Sequence, residues 1–251
     1  MENTNRNGGA QLPNLDYTGI KGIIFDYGGT IDSRGDHWSE VIWDAYRKAQ
    51  VLVDKQDFRD AYVYAERELA RTLHILPHHN FRDLLIIKMR IELQQLAQEG
   101  HFPADLIETK AEEIALVCYE AARRCIEEAR PVLDELYKRY PMVLVSNFYG
   151  NVEAVLKDFG LRHYFREIVE SAVVGVRKPD PQIFRLGVEA LGMKPEEVLV
   201  IGDSLRKDIE PAESIGCRVM WLKGKGWTEA EDLQMHPAII STLGDILRLL
   251  A

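Results

Sequence analysis

The chain has 251 residues, 46% of them apolar and 28% charged, and a formal net charge of −9. That composition suits a folding protein with room for one sizeable domain, or for a core plus a smaller unit. The acidic balance argues against a nucleic-acid partner, which favours a basic face. No run approaches 18 apolar residues, so no membrane span is expected.

Residues 1–16 are polar, rich in Asn and Gly, and contain no apolar stretch. They read as a disordered tail rather than a signal peptide. The first strand is predicted over 22–26, the apolar run GIIFD that ends in a carboxylate. Residues 36–130 then change texture. Helical patterns run over Trp38–Ala49, Phe58–Thr72, Phe81–Gln98 and Pro103–Glu128, with almost no strand signal. Pro77 closes the second of these and Gly100 the third.

Short Val-, Ile- and Leu-rich runs return at 142–146, 167–171, 198–203 and 218–222, without clean alternation. Strands buried on both faces of a parallel sheet have that pattern. Helical patterns over 151–160, 180–191 and 206–215 separate them, each stopping at or just before a glycine (Gly160, Gly192, Gly216). A last short apolar run, 238–240, precedes a helix from about Thr242 to Leu250. The fold expected is α/β, a doubly wound parallel-sheet (Rossmann-like) core with an inserted all-α cap. The division expected is a tail over 1–16, a core over 17–33 and 131–251, and a cap over 34–130. Both crossings between core and cap are candidate hinges.

Cys118 and Cys125 fall on one predicted helix, about 10 Å apart along its axis, too far to bridge. With Cys217 they read as core thiols in a reducing, cytoplasmic compartment.

Three predicted strands end in polar residues. The first ends FDYGGT (25–30), the second VSN (145–147), and the fourth IGDS (201–204), with Asp208 five residues after Asp203. In a parallel sheet these ends share one edge, with neighbouring strands about 4.8 Å apart. Ligands bind at that edge where strand order reverses. Asp26, Asp203 and Asp208 can therefore converge, and a hard divalent cation such as Mg²⁺ would offset their repulsion. Glycines at 28 and 29 let the backbone approach a ligand. RKPDP (177–181) presents Lys178 just before a proline, and a lysine at this edge would balance the carboxylates.

In that order, FDYGGT, VSN, RKPDP and GDSxxxD resemble the haloacid dehalogenase superfamily of aspartate-nucleophile phosphotransferases, over roughly Gly19 to the C-terminus. The helical insertion resembles that family's cap, which shapes substrate choice. The resemblance implies that Asp26 is the nucleophile taking the phosphoryl group and that Thr30 orients it. It implies that Asp26, the Gly28 carbonyl and Asp203 hold Mg²⁺, while Asp208 holds a metal-bound water or orients Lys178. Ser146, Asn147 and Gly29 would bind phosphoryl oxygens, and Lys178 would neutralise developing charge.

One position departs from the pattern. The family's phosphatases carry a second Asp two residues after the nucleophile, as proton donor and then base. Here it is Gly28. Losing such a group typically costs about 10²–10⁴-fold in rate. The expected function is a Mg²⁺-dependent, phosphatase-type hydrolysis of a small phosphorylated metabolite through an aspartyl-phosphate on Asp26. The alternative is a weakly or non-catalytic phospholigand-binding protein. Phosphonatase-like chemistry, which would need a cap lysine (Lys48, Lys55, Lys88 or Lys110), and dehalogenase-like chemistry are minor alternatives. Asp32, Asp36 and His37 are the candidates nearest in sequence to replace the lost acid.

Of the remaining features, His74, His78 and His79 read as a solvated loop, Arg123 and Arg124 as solvated or paired, and Trp38 and Trp43 as cap core. GKGW (224–227) reads as a surface loop, not a P-loop.

Overall fold

Six short apolar runs pair side by side in parallel to form one sheet. The computed structural model describes residues 15–251, so residues 1–14 of the expected tail lie outside the described residues. The strands are β1 (Gly22–Phe25), β2 (Met142–Ser146), β3 (Glu167–Glu170), β4 (Val198–Gly202), β5 (Arg218–Leu222) and β6 (Ile239–Ile240). Their spatial order is β3-β2-β1-β4-β5-β6. The chain winds one way from β1 through β3 and the other way from β4 through β6, so strand order reverses between β1 and β4.

Every residue of β1, β2 and β4 is buried, which is why these runs lack alternation. Alternate side chains feed two cores. Ile23, Phe25, Leu144, Leu199 and Ile201 belong to one. Ile24, Val143, Val145, Val198 and Val200 belong to the other. The second core is closed by α7 (Gln182–Leu191) and α8 (Glu210–Ser214) through Phe184, Val188, Leu191 and Ala212. Over the first face lie α5 (Val152–Asp158) and α10 (Gly244–Leu249). Short helices α6 (Ser171–Val174) and α9 (Glu229–Asp232) complete the connections. No helix among the described residues is long and apolar enough to cross a membrane.

Between β1 and β2 the chain forms only helices: α1 (Trp38–Lys48), α2 (Lys55–Arg71), α3 (Phe81–Gln98) and α4 (Ile107–Arg139), with a 3₁₀ turn at Ala104–Leu106. Their apolar faces (Ile42, Tyr46, Phe58, Leu85, Met89, Ile114, Cys118) continue the first core. Cys118 and Cys217 are buried and Cys125 is partly buried, all with free thiols.

The second insert helix begins three residues earlier than expected, at Lys55, and ends at Arg71, before Pro77; two further elements differ more. The last insert helix does not stop near Glu128 but continues through Pro131 to Arg139. Pro131 is exposed, so its missing N–H and the bend it favours fall on the solvent side, where a helix tolerates both. The buried stripe Ile126, Ala129, Val132, Leu133, Leu136 carries the helix past it. The helix expected over 206–215 divides into a π-helical turn, Leu205–Ile209, and α8, which has Pro211 in its first turn.

Candidate active site

Asp26 directly follows β1, and its N–H donates to the Ile201 carbonyl at 2.9 Å, extending the β1–β4 pairing by one step. That pins its backbone at the reversal point. The side chain is nearly buried. Its Oδ1 accepts from Lys178 Nζ at 2.6 Å and its Oδ2 from Thr30 Oγ1 at 3.2 Å. Thr30 Oγ1 also lies 3.1 Å from Asp203 Oδ1. A hydroxyl has one proton, so the two carboxylates share it.

The loop between Asp26 and Thr30 is shaped by Gly29. Its φ is +98°, and a Cβ there would overlap the Asp203 carboxylate. Its N–H donates to Asp32 Oδ1 at 2.8 Å and its carbonyl accepts from Ser33 Oγ at 3.0 Å. Gly28 is different. Its φ is not positive, and no heavy atom lies within 4 Å of where a Cβ would stand. Neither sterics nor backbone strain requires glycine at this position.

At the last residue of β4, Gly202 leaves room for the Asp208 side chain, which a Cβ would overlap. Asp208 is buried, its Oδ1 2.6 Å from Lys178 Nζ and its Oδ2 accepting from Ser204 N–H at 3.0 Å. Oxygens of Asp26, Asp203 and Asp208 all lie within 4.8 Å of one another. They are the one grouping of metal-ligating side chains of this size among the described residues. Burial, together with Asp208 and Asp26, raises Asp203 well above the usual carboxylate range. Burial also raises Asp208, against the pull of Lys178. Asp203 makes no ion pair with a side chain among the described residues. A half-buried carboxylate beside two buried ones, with no cation of its own, completes the donor set a hard divalent ion fits.

Lys178 is buried, its ammonium shared between Asp26 and Asp208. Burial opposes its charge, but the two carboxylates outweigh burial and raise it. Asn147 fixes its backbone from both sides. Asn147 Oδ1 accepts from Lys178 N–H at 2.9 Å, and Asn147 Nδ2 donates to the Lys178 carbonyl at 3.1 Å. The side chain of Asn147 is thus engaged in positioning the lysine, a role that no spacing in the sequence signals. Ser146 is buried at the end of β2, beside β1.

Above this edge opens a cavity of about 840 Å³. Asp26, Gly28, Gly29, Asn147, Lys178, Asp203 and Asp208 line its sheet side, and α1, α2 and α3 supply its far wall. Of the three candidate replacements near Gly28 in sequence, two line the cavity. Asp32 is buried, accepts from Gly29 N–H and from Trp38 Nε1 at 3.0 Å, and is pushed up to about 8, chiefly by burial. His37 caps α1, with Nδ1 accepting from Ser39 N–H, and is lowered to about 4, chiefly by burial. Asp36 instead accepts from Lys225 N–H at 2.8 Å. Trp38, expected only as cap core, also lines the cavity, whereas Trp43 packs 5.2 Å from the Phe58 ring as core.

The four insert lysines also separate. Lys48 pairs with Asp44, Lys55 with Glu40 and Lys110 with Glu113; of the four, only Lys88 lines the cavity. His74 pairs with Glu68 and Arg123 with Glu120, both at the surface. The GKGW loop is not free surface. Gly224 packs against Gly35 and Asp36, Lys225 O accepts from His37 N–H at 2.8 Å, and the Trp227 ring lies 5.5 Å from that of Tyr62.

Comparison with known proteins agrees with this geometry. A family model described as haloacid dehalogenase-like hydrolase matches residues 20–216. A phosphoserine phosphatase from Thermus thermophilus is 33% identical over 137 residues, 53% of each chain. A glyceraldehyde 3-phosphate phosphatase from Methanopyrus kandleri is 47% identical over 57 residues, 23% of this chain and 24% of that one. The matched region thus spans about half the length of the first relative and less of the second. Among solved structures, the putative HAD-hydrolase YfnB from Bacillus subtilis, bound to magnesium, superposes with a TM-score of 0.55. It is 21% identical, over 92% of this chain and 98% of that one.

Proposed function

The chain belongs to the haloacid dehalogenase-like hydrolases, and from that premise we propose that it is a Mg²⁺-dependent phosphatase of a small phosphorylated metabolite, with Asp26 as nucleophile. The observation that carries this reading is the setting of Asp26. It stands at the reversal point of the sheet, facing a roomy cavity, with Lys178 on one oxygen and Thr30 on the other. Arg177, Arg206 and Lys207 add positive charge to the cavity wall in a chain of net charge −9, which favours an anionic substrate.

In this reading Asp26, the Gly28 carbonyl and Asp203 would hold the metal, while Asp208 would hold a metal-bound water or orient Lys178, with which it pairs. A bound Mg²⁺ would supply charge neutralisation and in-line orientation of the phosphoryl group. Asp26 attacks phosphorus, its carboxylate forms an acyl-phosphate bond, and the substrate oxygen leaves with the bonding pair. Lys178 offsets charge on the phosphoryl oxygens, aided by Ser146 and the Asn147 amide, whereas the Gly29 N–H, expected to help, is already taken by Asp32. Water then breaks the acyl phosphate, returning the carboxylate and releasing phosphate. No carboxylate stands at position 28 to give the first proton or take the second. Both oxygens of Asp32 and the Nδ1 of His37 are already engaged. Substrates with good leaving groups, such as acyl and aryl phosphates, therefore suit the site best.

We also divide the chain into an α/β core (17–33 and 131–251) and a helical cap (34–130), noting that α4 passes through the second boundary without a break. The test is hydrolysis of p-nitrophenyl phosphate and acetyl phosphate with Mg²⁺ by wild type and Asp26→Asn. Equal rates would reject the nucleophile.

One observation favours the second reading, binding with little turnover: the space beside Gly28 is open. Wild-type kcat in the ordinary enzyme range of about 1–10³ s⁻¹ would exclude it. Phosphonatase-like chemistry finds less support. Burial opposes the charge on Lys88, but Glu66 and its other neighbours raise it well above an ordinary lysine, so it offers an ammonium and not a free amine.

A further inference from the structure

The far wall of the cavity holds a polar cluster that the proposed chemistry does not use. Lys88 of α3 is buried; its ammonium pairs with Glu66 Oε1 of α2 and sits 4.2 Å from the centre of the Tyr62 ring. Tyr149, on the loop after β2, donates its hydroxyl to the same Glu66 oxygen at 2.9 Å. All four residues line the cavity that Asp26 lines. The arrangement is asymmetric. Glu66 Oε1 takes both donors, while Oε2 has no hydrogen-bond or ion-pair partner among the described residues. The Glu66 side chain keeps 37% of its exposure and Lys88 only 5%.

Three consequences follow. Within the cluster charge is balanced, since Lys88 neutralises Glu66 and the neighbouring His37 is held neutral chiefly by burial; Lys207, which also lines the cavity, is the one further cation acting on both Glu66 and His37. Burial alone would raise Glu66, but Lys88 and Tyr149 hold it below the ordinary range, so it stays an acceptor. Its position is fixed from two elements, α3 and the β2 loop, so the free oxygen is held in place before a ligand arrives. A fixed, ionised, one-sided acceptor in an otherwise largely apolar wall (Ile42, Leu69, Phe81, Leu84) selects a hydrogen-bond donor and disfavours a group that cannot donate.

We propose that Glu66, positioned by Lys88 and Tyr149, is the specificity determinant of the cavity, and that its Oε2 accepts from a hydroxyl or protonated amine on the leaving portion of the phosphorylated substrate. The inference rests on the reading of Asp26 as the phosphoryl site and names the substrate class of that site. An alkyl or carboxylate end at the same place would leave the acceptor unpaired or face it with like charge.

The test is equilibrium binding, so it needs no turnover. In the full-length Asp26→Asn protein with Mg²⁺, dissociation constants are measured for alkyl phosphates of two to five carbons ending in methyl, hydroxyl or ammonium, with inorganic phosphate as reference. Binding of the hydroxyl or ammonium probe at least about tenfold tighter than the matched methyl probe, at one or more lengths, is expected. Which of the two wins distinguishes a leaving portion that carries a hydroxyl from one that carries an ammonium; the alkyl chain serves only as a spacer in these binding probes. Adding Glu66→Gln should reduce that preference to about threefold or less while leaving inorganic phosphate affinity within twofold. Should that variant lose stability because Lys88 is left without its partner, Glu66→Gln with Lys88→Met removes both charges and should give the same result. Phosphate binding with no preference at any length overturns this inference alone. Failure to bind inorganic phosphate overturns the phosphoryl-site reading and this inference with it.

Discussion

Lys178 stands 2.6 Å from Asp26, and the same ammonium stands 2.6 Å from Asp208. One buried cation thus serves two buried carboxylates while a third, Asp203, sits beside them without an ion pair. Removing the cation leaves all three uncompensated. Lys178→Met should destabilise the metal-free protein by about 3–5 kcal/mol, read as a fall in denaturant midpoint. Millimolar Mg²⁺ should recover part of the loss. A loss unaffected by Mg²⁺ would mean that the carboxylates do not hold the ion.

Gly28 and Gly29 are neighbours with opposite demands. Alanine at 29 meets both a φ of +98° and the Asp203 carboxylate. Gly29→Ala should cost about 1–3 kcal/mol and weaken Mg²⁺ binding. Gly28→Ala meets neither obstacle and should stay within about 0.5 kcal/mol. Thermal melts of the two variants, with and without Mg²⁺, check the pair. Equal costs would contradict the loop geometry.

The open space at Gly28 also makes the missing proton carrier replaceable. Gly28→Asp should raise turnover of alkyl phosphate esters by about 10²–10⁴-fold, because their leaving oxygen needs a proton. Acetyl phosphate, whose leaving carboxylate needs none, should change little in its first step. A variant that speeds neither class would show that proton transfer is not what limits the wild type.

Glu92 of α3 is wholly buried, with Tyr46 donating to one oxygen at 3.0 Å and no partner on the other. Burial pushes it up from 4.5 to about 8. A raised carboxyl binds its proton more tightly in the folded state. Its contribution is therefore fully present below about pH 4.5 and is lost as pH rises through about 8. Glu92→Gln should match wild type at pH 4.5 and exceed it at pH 8.5, by on the order of 2–4 kcal/mol. Denaturation at the two pH values reads the difference, and an unchanged pH slope would refute it.

Much of this was legible in the sequence, for physical reasons. Strands buried on both faces must be apolar throughout, so β1, β2 and β4 stand out as runs, and polar residues at their ends mark the edge where Asp26, Asp203 and Asp208 gather. The continuation of α4 was hidden because proline is read as a stop. Only the fold shows that Pro131 faces solvent while Val132 and Leu133 remain buried. The grip of Asn147 on Lys178 spans 31 residues, and the meeting of Glu66 with Tyr149 spans 83. Periodicity carries no signal at such separations. The docking of Lys225 against His37 was hidden for the same reason, and GKGW, without the spacing or strand–helix setting of a P-loop, reads as a surface loop.

The unbroken α4 has a mechanical meaning. At about 1.5 Å per residue its 33 residues make a beam of about 50 Å. A beam does not fold like a hinge. Its weakest turn is the one where the Glu127 carbonyl has no amide to face, because the residue four places on is Pro131. The other crossing is clamped where His37 and Asp36 meet Lys225. On the proposed division into core and cap, two supports of unequal stiffness would turn a widening of the cleft into a twist about one axis. The rate at which product escapes would then follow the torsional compliance of a single helical turn.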